Sequence, residues 1–209
     1  MNIINENEYW NSYYQTSDAP ESPSRFAMFV AEYLSTDESL LELGCGNGRD
    51  AVYFHKQGLR VTAMDKSGEA IKRVITREPG IQGISFEMDQ LPGEFKPVFD
   101  HVYSRFSIHS INDEQQAQTL KGIKAVLRPS GTLWIEARCI DDEMFEKGTP
   151  AGRNAYIYQD HYRRFLVLDE IIGDLAALGF DLIYAEKSRN FAPHKDENPV
   201  VIRVRAVKK

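Results

Sequence analysis

The stretch that most restricts the fold is Leu40 to Asp50, LLELGCGNGRD, where an apolar run ends in glycines at positions 44, 46 and 48. Three residues without side chains at alternate positions let the backbone turn sharply and come close to a neighbour. Taken alone, the pattern is either a tight turn or a place where backbone meets a ligand. The next residues, DAVYFHKQG, set Val52, Tyr53 and Phe54 ahead of the stop glycine Gly58. The order is therefore strand, turn, helix.

The same alternation continues along the chain. LRVTAMD is a second strand with β-branched residues, and SGEAIKRVITRE is a helix with Ser67 as its cap and Ile71, Val74 and Ile75 on one face. GISFEMD and VFDHVYSRF are the third and fourth strands. NDEQQAQTLKGIKAVLRPSG is a helix closed by Pro129 and Gly131, and GTLWIEAR is the fifth strand. Strands alternating with helices imply a parallel sheet with right-handed crossovers, a doubly wound α/β fold.

The two ends depart from this rhythm. Residues 1–34 read as two helices, an amino-terminal cap whose first helix carries Tyr9, Trp10, Tyr13 and Tyr14. Those aromatics either pack the helix onto the sheet or close a ligand site. Towards the carboxyl end, LDEIIGDLAALG is a helix, followed by the strands FDLIYAEKS and PVVIRVRAV. In the last strand Val201, Arg203 and Arg205 oppose Ile202, Val204 and Val207. A polar, aromatic insert of roughly 28 residues, 138–165, precedes that helix. Segments of this length are more often functional than passive, so the insert is a candidate acceptor lid. The whole of 1–209 is expected to be one domain.

Composition narrows the function. At 209 residues and 42% hydrophobic, the chain is long enough to bury about 70% of its unfolded surface. A formal charge of −6 argues against a general nucleic-acid binder, which needs a clustered basic surface. No apolar run reaches the roughly 20 residues of a membrane span, and MNIINENEYW lacks the features of a signal peptide. A cytoplasmic protein without membrane partners is expected. Two cysteines, Cys45 and Cys139, are too few for a disulfide framework or a four-cysteine zinc site. Cys45 reads as a small filler, and Asp141, Asp142 and Glu143 as an exposed acidic run, so no metal is expected.

The glycine loop does not match a phosphate cradle. Arg49 stands where GxGxxG needs its third glycine, and no GxxxxGK[ST] occurs. A small ligand pressed on backbone at Gly44 and Gly46, with Glu42 in the strand before the turn, fits better. A ligand with positive charge suits that carboxylate. Asp65 ends the second strand, where a carboxylate accepts two ribose hydroxyls, and Asp89 follows the third strand. Three such features at successive strand ends favour a ligand over a bare turn.

On these residues the chain resembles the class I S-adenosylmethionine-dependent methyltransferases, over roughly 38–137 and more loosely at the flanks. The resemblance implies a Rossmann-like, doubly wound sheet of seven mostly parallel strands, its last two forming an antiparallel edge hairpin. It assigns Glu42, Gly44, Gly46 and Gly48 to the methionine end of the cofactor and Asp65 and Lys66 to the ribose. Asp89 and Gln90 match the adenine position, and Ser104 the exit of strand four facing the methionine portion. The product would be S-adenosylhomocysteine. YWNSYYQ is similar to the tellurite-resistance, small-molecule branch, in which an amino-terminal helix covers the cofactor. HYRRF, RNFAP and NPVVIR resemble bacterial methyltransferases of surface-polysaccharide clusters.

Positioning dominates such chemistry, since holding donor and acceptor in line supplies roughly 7–11 kcal/mol. A general base adds about 10²–10⁴-fold. The candidate catalytic groups are Arg105 and His109 in SRFSIHSI and His161 in HYRRF; the candidate acceptor-binding groups are Tyr14, Arg163, Arg164 and Arg189. Arginine forks grip carboxylate or phosphate, and histidine donates to an anion or takes a proton. Each has a duller role in capping, packing or a solvated loop. His55 and His101 read as structural. The expected acceptor is a small anion, phosphorylated or sugar-linked. Detoxification of tellurite-like oxyanions or thiols, or cofactor binding without catalysis, are the alternatives. A monomer or homodimer is expected.

Overall fold

A computed structural model describes residues 6–16, 20–91, 96 and 98–209. Seven strands form a mostly parallel sheet in the order third, second, first, fourth, fifth, tenth, ninth, and three more form a separate antiparallel sheet. The chain divides into two compact units, residues 1–88 and 89–209.

In the first unit, β1 (Ser39–Leu43) pairs in parallel with β2 (Arg60–Asp65), which pairs in parallel with β3 (Gln82–Ser85). Every residue of β1 is buried, as expected for a strand covered on both faces. Helix α1 (Glu6–Thr16) and α2 (Arg25–Ala31) precede β1. Helix α3 (Arg49–Lys56) leaves the glycine turn, and α4 (Gly68–Arg77) is capped by Ser67, whose hydroxyl accepts from the Ala70 amide. Leu40, Leu41, Leu43, Phe54, Met64 and Val74 make the core. Ile71 and Val74 are buried, and Ile75, on the same face, lies beside Ile71 over Gly83 of the edge strand β3 and is 41% exposed.

In the second unit, β4 (Phe99–Arg105) pairs in parallel with β5 (Leu127–Arg138). Strand β10 (Val201–Lys208) runs antiparallel between β5 and β9 (Phe180–Ser188). Helix α5 (Asp113–Val126) opens with a capping box made by Asn112 and Gln115, and α6 (Leu168–Ala177) precedes β9. Trp134, Tyr103, Leu120, Ile123 and Ile135 fill the core.

Two expectations fail here. Helix α5 ends at Val126, three residues before Pro129, and LRPSG already belongs to β5. Ser130 takes φ +62, and the pairing slips between Phe99 and His101, so the proline sits in a bulge and not in the last turn of the helix. In β10 the face of Ile202 and Val204 continues through buried Ala206, not Val207; the irregularity beside it falls on β9, leaving the alternation of β10 intact.

The insert is ordered. Strands β6 (Thr149–Gly152), β7 (Ala155–Tyr158) and β8 (His161–Arg164) make an antiparallel meander. Gln159 and Asp160 take φ +53 and +57, the mirror-image turn that matches strand twist in a two-residue hairpin. Among the described residues no helix is long and apolar enough to cross a membrane.

Candidate active site

The first unit builds a cradle from backbone. Gly44, Gly46 and Gly48 have φ of +68, +55 and +74, where an L side chain costs about 1–2 kcal/mol each. The turn is tied at both ends. The Cys45 amide donates to the Met64 carbonyl at 3.0 Å and the Gly48 amide to the Cys45 carbonyl at 2.9 Å. A methyl on Gly46 would lie 2.5 Å from the Tyr14 hydroxyl oxygen, and one on Gly48 would collide with Val74. Glycine is thus required twice over, by dihedral and by space.

Asp65 locks this loop. Its Oδ2 accepts the Gly46 amide and its Oδ1 the Ser67 amide, both at 2.9 Å. Burial raises its pKa, while the two amide bonds and the Lys66 charge pull it down. A carboxylate has about four acceptor positions, so two remain for hydroxyl donors. Tyr14 is pressed against the loop by α1, which is held by Asn11 against the Ser67 hydroxyl and by Arg73 against the Gln15 carbonyl. Burial and the Asp65 charge push the Tyr14 phenol well above its usual range, so it stays neutral. Burial likewise raises the Cys45 thiol, consistent with a filler and not a nucleophile. Glu42 is buried at 4% exposure, and the Lys66 carbonyl accepts from Ser85.

In the second unit Asp89 and Gln90 sit in a 3-10 turn, Met88–Gln90, with the Asp89 carboxylate accepting from Gln115 at 3.0 Å. Ser104 is fully buried, its hydroxyl 2.6 Å from that of Ser107. Beyond β4, side chains do what backbone does in the first unit. Glu136 of β5, 1% exposed, accepts from Arg105 Nε at 2.9 Å and from Arg203 Nε at 2.8 Å. Each guanidinium also lies over a phenylalanine, Arg105 at 4.4 Å from the Phe106 ring and Arg203 at 4.2 Å from Phe191. Phe106 takes φ +53, a rare conformation for a bulky residue and of the kind that concentrates at functional sites.

His109 lies in the 3-10 turn Ile108–Ser110, 5% exposed and stacked on Phe106 at 5.3 Å. Its Nδ1 accepts the Arg138 amide at 3.3 Å. Burial drives its pKa well below the usual imidazole range, and Arg138, His161, Arg163 and Arg105 push in the same direction. Arg105, His109, His161 and Arg163 therefore share one electrostatic neighbourhood. His161 is buried on β8, and the Arg163 guanidinium donates to the Tyr158 carbonyl.

The other two arginines go elsewhere. Arg164 is 5% exposed and spends its guanidinium on this chain, on the Ile111 carbonyl and Asp113, both at 2.8 Å, and on Gln116. It seats β8 against the turn bearing His109. Arg189 pairs with Glu143 on the surface. Sequence reasoning missed Glu136, Phe106, Arg138 and Arg203. A glutamate inside the apolar run LWIEA was the available signal, because a charge buried in a strand demands a cationic partner.

The family described as "Methyltransferase domain" matches residues 14–185, most of the chain. The chain belongs to the class I S-adenosylmethionine-dependent methyltransferases. Over 101 residues, 47% of its length, it is 29% identical to an uncharacterized methyltransferase of Synechocystis, and over 126 residues, 57% of its length, 29% identical to a tRNA U34 carboxymethyltransferase of Ruthia magnifica. The matches span 46% and 38% of those two proteins. The solved structure of a Burkholderia thailandensis 1,6-didemethyltoxoflavin-N1-methyltransferase, holding its substrate and S-adenosylhomocysteine, shares the fold. It superposes with a TM-score of 0.74 at 20% identity, covering 98% of this chain and 87% of that one. S-adenosylmethionine is the cofactor of this methyltransferase family, and the cradle suits it: bare backbone at three left-handed glycines, with a carboxylate that keeps two acceptor positions.

Proposed function

We propose that this methyltransferase transfers a methyl group to a small anionic acceptor, phosphorylated or sugar-linked. In this reading Gly44, Gly46 and Gly48 admit the methionine end of the cofactor, with Glu42 and Ser104 near it. Asp65 and Lys66 serve the ribose, and Asp89 and Gln90 the adenine. When bound, the cofactor supplies a methyl group made electrophilic by its sulphonium. The chain's own part is positioning. Arg105 and Arg163 would grip the acceptor's anion, with His109 and His161 beside them.

One observation carries the choice of an anion. Besides burial, the groups that disfavour a proton on His109 are all basic, Arg138, His161, Arg163 and Arg105, with Arg138 itself paired to Asp142 and Glu197. Arg105 and Arg203 both pair with the buried carboxylate of Glu136, which fixes the two guanidinium groups in place. An anion entering this neighbourhood is stabilised, and a guanidinium fork gives it two-point geometry. The overall acidic chain favours a small acceptor over an extended polyanion.

Turnover should be measured with S-adenosylmethionine against phosphorylated sugars, nucleotide-linked sugars, neutral sugars and tellurite. The reading predicts turnover of a phosphorylated or nucleotide-linked compound, and a KM for it at least tenfold higher in Arg105→Ala with unchanged cofactor affinity. An unchanged KM removes Arg105 from the site. Turnover of tellurite alone would favour the detoxifying reading, and cofactor binding with no turnover of any acceptor would favour a non-catalytic role.

A further inference from the structure

We infer that His109 meets the acceptor as a neutral hydrogen-bond donor through Nε2, its Nδ1 being held as an acceptor by the Arg138 backbone, and that it is not the base. The inference rests on the acceptor reading above and narrows it, because a histidine in that position could otherwise donate or take a proton.

The argument begins with valence. A neutral imidazole has one N–H and one lone-pair nitrogen, and the bond made by one decides the other. The Arg138 amide donates to Nδ1 at 3.3 Å, so the ring hydrogen stands on Nε2. The ring makes no second hydrogen bond among the described residues, so Nε2–H is available to a ligand. Rotation of the ring is blocked by the stacked Phe106 ring, 25° from parallel.

Protonation of Nδ1 would set N–H against N–H at Arg138 and bury an added charge. After burial, the charged groups that most disfavour a proton on the ring are Arg138 from β5, His161 and Arg163 from β8 and Arg105 from β4, while the carboxylates Asp142, Glu197 and Glu136 are paired to Arg138 and Arg105. Burial and these charges both disfavour a proton on the ring. A base needs a free lone pair, and the single one here is already engaged. A buried donor beside arginines is instead suited to an anionic oxygen, to which it adds a hydrogen bond without adding charge.

The test is nitrogen NMR of the full chain labelled with ¹⁵N-histidine, saturated with S-adenosylhomocysteine, from pH 5.5 to 8.5, with inorganic phosphate as the probe anion. The expected spectrum has Nε2 of His109 pyrrole-like and Nδ1 pyridine-like, with no titration, and phosphate shifting Nε2. A pyrrole-like Nδ1, or a ring that titrates near 6.5, overturns the inference. His109→Gln retains an amide nitrogen near the Nε2 position and should bind phosphate within about threefold of the parent. His109→Leu should bind it about 10–100-fold more weakly, the range for a hydrogen bond to a charged group. Equal affinity in His109→Leu also overturns the inference, and should that variant not fold, the parent spectrum decides. Failure of S-adenosylhomocysteine to bind would defeat the cofactor reading while leaving the tautomer result intact, so the two failures are distinct.

Discussion

The glycine cradle and the arginine–histidine cluster show two ways of making a polar site. At residues 44–48 the working groups are amides and bare Cα atoms, fixed by left-handed dihedrals and by one carboxylate, Asp65. Around Glu136 they are long side chains drawn from β4, β5 and β10, the two arginines each held by the shared carboxylate and a phenylalanine ring. A backbone site depends on a few adjacent residues and tolerates no added atom. A side-chain site depends on residues far apart in sequence and fails when one partner of a buried ion pair is removed. The two units should therefore break differently.

Glu136→Ala should produce the largest effect. It leaves Arg105 and Arg203 beside an empty position, and breaking a buried pair costs about 3–5 kcal/mol. Thermal unfolding of this variant measures it, and a loss under 1 kcal/mol would mean that the guanidinium groups find water. Gly46→Ala attacks the other unit and should cost about 2–4 kcal/mol, from its φ of +55 and the clash with Tyr14. Combining it with Tyr14→Phe removes the hydroxyl nearest the added carbon. The pair should then recover at least 0.5 kcal/mol relative to the sum of the single changes, and strict additivity would show that the loop moves instead.

Arg164→Ala follows, at about 2–3 kcal/mol, or roughly 4–12 °C in the unfolding midpoint. It was a candidate acceptor ligand, yet its donors are committed to Ile111, Asp113 and Gln116. Its effect should appear in stability first, with cofactor affinity unchanged.

Next comes pH. The His109 pKa is depressed in the folded chain, so between that value and the ordinary one near 6.5 the unfolded chain binds more protons. Stability should fall as pH drops below about 6.5, and less steeply in His109→Gln; denaturant titrations at several pH values compare the slopes. Smallest of all, Arg189→Ala should change stability by no more than about 0.5 kcal/mol, since its pair with Glu143 is exposed.

These differences also explain what could be read from the sequence. LLELGCGNGRD and the aspartate ending RVTAMD are legible because strand, turn and helix are local, whereas the seven-strand sheet with its antiparallel edge is implied by the family resemblance. Arg105 and His109 were legible as residue types but not as partners, because Glu136 lies 31 residues from Arg105 and 67 from Arg203. The strands of the meander over 149–164 leave no trace in the sequence of the insert, because each is four residues long and β6 is exposed throughout, so there is no alternation to detect. The Gln159–Asp160 turn is a weaker hairpin signal than Asn-Gly. At Pro129 the proline marked a break correctly, but a bulge, not a helix end, takes it up.

The central claim is that bare backbone at the tip of β1, locked by Asp65, holds an S-adenosyl nucleoside. Calorimetric titration of the full chain with S-adenosylhomocysteine tests it most directly. One saturable site with a Kd on the order of micromolar, about −8 kcal/mol, is the expected result, weakened at least tenfold in Asp65→Ala. Absence of saturable heat in the parent chain, or equal affinity in that variant, would contradict it.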